Sequence, residues 1–177
     1  MKLKNAQIVG FIITVVIGTV LHFTYEWSGE NAFVGAFSAV NESVWEHLKL
    51  LSVPMLLFGV AEYFVYGSKK DNFVPVRLLS ILLGMALTVT VFYTYSGIIG
   101  EHIPIVDIIL FVVAAFVSYR YSYKMLQTDR YSSKLSRGLA VFGVIILVAC
   151  IIIFTFVPPH IGLFQDSNSG AFGVVAP

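Results

Sequence analysis

Three short stretches carry most of the groups that could do chemistry. "LHFTYEW" places His22 and Glu26 four residues apart. "NESVWEHLKLL" holds Glu42, Glu46, His47 and Lys49. "PPHIGLFQD" sets His160 behind two prolines, with Asp166 six residues on. Imidazole and carboxylate ligands suit zinc or another divalent transition metal. Three such ligands with an open fourth position give the geometry of a catalytic ion. His22, His47 and His160 are therefore candidate metal ligands, with Asp166 or Glu26 as a fourth. Glu42 or Glu46 is the candidate general base acting on a metal-activated water. His102 and Asp107 could complete the cluster, although an exposed loop histidine is the plainer account of His102. The sequence has no H-E-x-x-H pair, Gly-rich phosphate loop, G-x-S-x-G elbow or C-x-x-C.

Some of these residues have a sufficient local explanation. Asn41 or Ser43 suits an N-cap, Ser43-x-x-Glu46 matches a capping box, and acids in a first turn favour the helix dipole. At spacing four, Glu42 and Glu46 would share a helix face, with His47 offset by ~100° and Lys49 tempering their repulsion. Capping does not account for His47, because a charged imidazole is unfavourable at a helix N-terminus. In the first stretch, Gly10, Thr14, Gly18, His22 and Glu26 recur every four residues. Small residues in such a stripe let a neighbouring helix approach closely.

These groups must be positioned by apolar helices. Of the 177 residues, 58% are apolar and only 12% charged, against roughly 25% charged in a soluble domain. The apolar residues come in continuous blocks of near-spanning length, which favours helices over alternating strands. The reading is an all-α polytopic transmembrane bundle forming a single integral membrane domain over 1–177. Its five spans are 7–23, 44–66, 75–98, 103–125 and 139–157, the first retained rather than cleaved. Ten of the eleven Lys and Arg residues fall on one side of this map, Lys49 being the exception. The positive-inside rule then puts the N-terminus inside and the C-terminal tail outside. His22, His47, His102 and His160 all fall at the outer face. Residues 24–41 are expected to lie along or dip into the outer interface, and Ile161 to Phe164 could fold back over the outer mouth. Glu62, in the inner half of the second span, could pair with Arg77 or Arg120, or snorkel. The single cysteine, Cys150, reads as filler within an apolar run. No basic nucleic-acid patch is present.

With "HFTYEWSG", "NESVWEHLKL" and "PPHIGLFQD" in view, the chain resembles a family of small bacterial integral membrane proteins of unknown function. The distinctive elements are the NESVWEHLK motif and the C-terminal PPH-x5-D motif. The resemblance implies topology and leaves activity open. Membrane metalloproteases of the prenyl-endopeptidase type have adjoining glutamates, which Glu42 and Glu46 are not. Alkaline-ceramidase-like hydrolases use H-x-x-x-H spacing, which does not occur here.

The expectation is a multi-pass cell-membrane protein with an outward-facing His/carboxylate site that binds a divalent metal such as zinc. Its partners would be the lipid bilayer and a lipid or small-molecule ligand at the outer face, with metal-dependent hydrolysis of a lipid or small amphiphile as the best-suited reaction. The alternatives are a solute-binding subunit of a transporter and a structural or partner-binding membrane protein.

Overall fold

The computed structural model describes residues 2–174. Six α-helices follow one another: α1 (Leu3–Trp27), α2 (Ala32–Gly35), α3 (Val44–Val65), α4 (Phe73–Ile99), α5 (Pro104–Met125) and α6 (Lys134–Phe156). All but the short α2 are long and apolar enough to cross a membrane, so the chain fits a multi-pass membrane protein. The first helix outruns its expected span of 7–23 by a full turn at each end. Hydropathy marks the apolar stretch, whereas a helix runs on until its backbone is turned. Gly29 and Glu30, both at positive φ, stop α1. Gly100, at φ 94°, closes α4 in the left-handed conformation that suits glycine.

Consecutive long helices run antiparallel, so chemistry from distant parts of the chain meets at the two ends of the bundle. One end gathers the C-termini of α1, α4 and α6 with the N-termini of α3 and α5. Here Lys49 of α3 reaches Thr155 of α6, and Tyr95 of α4 reaches Asp107 of α5. Buried Leu48, Leu51, Met55, Ile81 and Tyr119 form the core along the axis.

Close approach of α1 to α3 depends on two residues. Pro54 lies inside α3 and has no N–H, so the Leu50 carbonyl four residues back loses its usual donor. Gly18 of α1 sits against that carbonyl: a Cβ there would lie 2.4 Å from the Leu50 oxygen. Backbone cannot yield as a flexible side chain can. Gly18→Ala should therefore push the helices apart and cost about 1–3 kcal/mol, read as a lower unfolding midpoint in detergent.

At the opposite end, Glu62 is buried rather than snorkelling, and of the two candidate arginines it pairs with Arg77. Gln7 donates to Glu62 at 2.9 Å and to the Tyr66 hydroxyl at 2.8 Å. The Arg77 guanidinium lies 5.2 Å from the Tyr119 ring centroid. This network ties the start of α1 to the end of α3 and the start of α4. Gln7, a neutral residue in an apolar stretch, gave no sequence sign of its role.

Candidate metal centre

α3 begins as its sequence suggests, with one change of partner. The Ser43 hydroxyl accepts the Glu46 N–H at 3.3 Å. Glu46 does not return the bond, so only half of the capping box forms. Its carboxylate turns inward, accepts the Val40 N–H at 3.0 Å and pairs with Lys49 at 2.5 Å. Lys49 also donates to Gly35 O and Thr155 Oγ1. Both charges are buried, 1% and 2% exposed, which makes the pair an internal staple joining α3, α6 and the 32–41 segment. Glu46 is thus held apart from the two histidines and Glu42, and Lys49 serves it alone rather than tempering two acids.

Glu42 behaves differently because it precedes the helix. Helical-wheel geometry, which put it on the face of Glu46, does not apply to it. The C-terminal tail places it instead. Asp166 Oδ1 accepts the Glu42 N–H at 3.0 Å, and Ser167 donates to the Glu42 carbonyl at 3.2 Å. One residue back, Asn41 donates to Gly173 O at 2.9 Å. The tail has folded back onto this end of the bundle, with Phe164 against Trp45 and Phe154. Partial burial would raise the Asp166 pKa. The Ser169, Glu42 and Asn168 hydrogen bonds together outweigh it and hold the carboxyl below its usual range.

Held this way, the Glu42 carboxylate lies between two imidazoles. His22 Nε2 of α1 is 3.6 Å from Oε1, and His47 Nε2 of α3 is 3.5 Å from Oε2. One ligand atom from each of the three residues falls within 4.8 Å of the others, so the group could hold a metal ion. The separations are long for hydrogen bonds and close to the roughly 3.3 Å between donors around a tetrahedral ion with bonds near 2.0 Å. His47 Nδ1 lies 2.9 Å from the Ser43 carbonyl, which can only accept. The proton therefore sits on Nδ1 and leaves the Nε2 lone pair free, the arrangement that prepares a metal-ligating histidine. His22 Nδ1 is buried without a partner.

Of the sequence candidates, His22, Glu42 and His47 come together and the others do not. Glu26 is solvent-exposed, because a spacing of four drifts by ~40° per step and has wound off the α3 face by then. His160 stacks on Phe172 at 4.6 Å. Asp166 holds the Glu42 backbone. Asp166→Ala should therefore weaken metal affinity by about 10–100-fold, as loss of a supporting hydrogen bond does, without removing the site. Titration of the apo-protein with zinc would measure it.

The cluster forms one wall of a pocket of about 360 Å³ between α1, α3, α4 and α5. His102 and Asp107 line the same pocket, 3.0 Å apart through Nδ1 and Oδ2. The sequence offered both as residues that could complete the cluster, with an exposed loop histidine as the plainer account of His102; they share its pocket but stand outside the three-residue group.

A family model matches residues 1–174. The chain belongs to the family of unknown function DUF6512. That match spans both the NESVWEHLK stretch and the PPH-x5-D tail, the two segments that the structure joins through Asp166 and Glu42. No curated protein and no solved structure matched the chain.

Proposed function

We propose that this member of the family is a multi-pass cell-membrane protein that binds one divalent transition metal, zinc by ligand chemistry, at its outer face. His22, Glu42 and His47 are the ligands. The carrying observation is their convergence from two separate segments, the end of α1 and the start of α3, with His47 already oriented by a backbone carbonyl. The outward assignment is supported by charge: ten of the eleven Lys and Arg residues lie away from this end of the bundle, and the eleventh, Lys49, is buried against Glu46.

The reaction this site suits is hydrolysis of an acyl bond in a lipid or small amphiphile. A metal here would lower the pKa of a bound water and polarise the acyl carbonyl. With a metal held there, the water oxygen would bond to the acyl carbon as the ester or amide bond breaks, and the water proton would pass to the leaving group. Glu42 serves as ligand rather than base. Asp166 and Ser167 hold it in place, and the apolar walls limit water.

Elemental analysis of the purified full-length protein tests this reading. About one zinc per chain is expected, retained on dialysis. Protein that carries no transition metal and takes up none from a zinc buffer would overturn it. A second reading, a membrane subunit that captures a solute, is favoured by the mainly apolar pocket lining. Copurification of a small solute without turnover would select it.

A further inference from the structure

The pocket has two tiers, and four helices repeat the same step between them. His22, His47, Phe92 and Asp107 form the upper tier. Gly18, Leu51, Thr88 and Phe111, each four residues along its helix, form the lower one. Four residues are about 6 Å of helix, so the pocket runs along the bundle axis rather than across it. Its ionisable groups, His22, Glu42, His47, His102 and Asp107, all belong to the upper tier or the loops above it. The lower tier is apolar apart from Thr88, whose hydroxyl is spent on the Gly84 carbonyl at 3.0 Å. At about 360 Å³ the pocket is at the small end for ligand sites, roughly 300–1,000 Å³, too small for the two acyl chains of a bilayer phospholipid.

On the wall facing the cluster, a relay of three side chains fixes His102. Asp107 Oδ1 accepts from the Tyr95 hydroxyl, and Asp107 Oδ2 lies 3.0 Å from His102 Nδ1. Tyr95 also accepts the Ile103 N–H at 3.1 Å, anchoring the loop that carries His102. A carboxylate can only accept, so Nδ1 carries the proton and Nε2 is left to act on whatever enters.

We propose that the ligand is a single-chain acyl amphiphile bound head-up, with its carbonyl group between the His22–Glu42–His47 centre and His102 and its tail in the lower tier. This rests on the metal-site reading above. His102 hydrogen-bonds the headgroup, and Thr88 sets how much tail the site accepts.

Alkyl hydroxamates, which chelate zinc through a carbonyl-bearing head, test this by calorimetry on the zinc-loaded full-length protein. From acetohydroxamate to hexanoyl hydroxamate, affinity should rise about fourfold per methylene. Thr88→Phe should abolish that rise with zinc still bound, and a rise that persists in Thr88→Phe overturns the lower-tier assignment. His102→Gln should weaken every member of the series by about tenfold, the loss of one good hydrogen bond, again with zinc retained. Wild-type protein that binds hydroxamates with no dependence on chain length overturns the tail assignment. Unchanged affinities in His102→Gln overturn the headgroup contact. Failure of the underlying metal reading shows separately, as absence of zinc before any hydroxamate is added.

Discussion

His47→Ala should abolish zinc retention at the proposed centre. Among the described residues three side chains converge on the centre, so removing one leaves a pair that cannot define a site. Losing a supporting hydrogen bond around a metal typically costs 10–100-fold in affinity. Losing a ligand should exceed that, so a weakening of more than about 100-fold is expected for His47→Ala and for His22→Ala. Both side chains are partly exposed, 36% and 27%, so truncation leaves no buried void and the metal-free unfolding midpoint should barely move. His160→Ala is the control: stacked on Phe172 and away from the cluster, it should leave zinc affinity unchanged. Competition against a chromophoric zinc chelator measures all three. Wild-type affinity in His47→Ala would exclude this centre.

The largest stability effect is expected at the Glu46–Lys49 staple. Neither charge can reach water, and each depends on the other and on nearby backbone or hydroxyl groups. Lys49→Met strands the Glu46 carboxylate in the core, and breaking such a pair from one side costs about 3–5 kcal/mol. Glu46→Gln strands the ammonium group and should cost a similar amount. The double variant removes both charges at once and should lie much nearer the wild type than either single change, because an apolar replacement of a buried pair is often close to neutral. Equilibrium unfolding in mixed micelles gives the three values. Additive losses would mean that the two residues act independently, contrary to the 2.5 Å contact.

The stretch Asn41 to Leu51 shows where reading from sequence stops. Its helix start at Ser43 was legible, because capping is local chemistry between residues three apart. The division of labour between its two glutamates was not. Periodicity put Glu42 and Glu46 on one face, yet Glu42 is outside the helix and takes its position from Asp166, 124 residues away. Asp166 and His160 were read as candidate metal ligands behind a rigid Pro-Pro pair. That one grips a backbone and the other stacks on a ring depends on how the tail folds back.

By itself the sequence determined the five apolar helices, their approximate limits and the gathering of histidines at one end of the bundle. These follow from hydropathy and charge, which act through segment length and composition. Only the tertiary structure decided which histidines meet, that Glu42 rather than Glu46 joins them, and that His102 faces them across a pocket. Those outcomes rest on contacts between residues far apart in the chain: Gly18 against the Leu50 carbonyl, Lys49 with Thr155, and Asp166 with Glu42. A local pattern constrains a residue's own helix, whereas the approach and register of two helices depend on side chains from both.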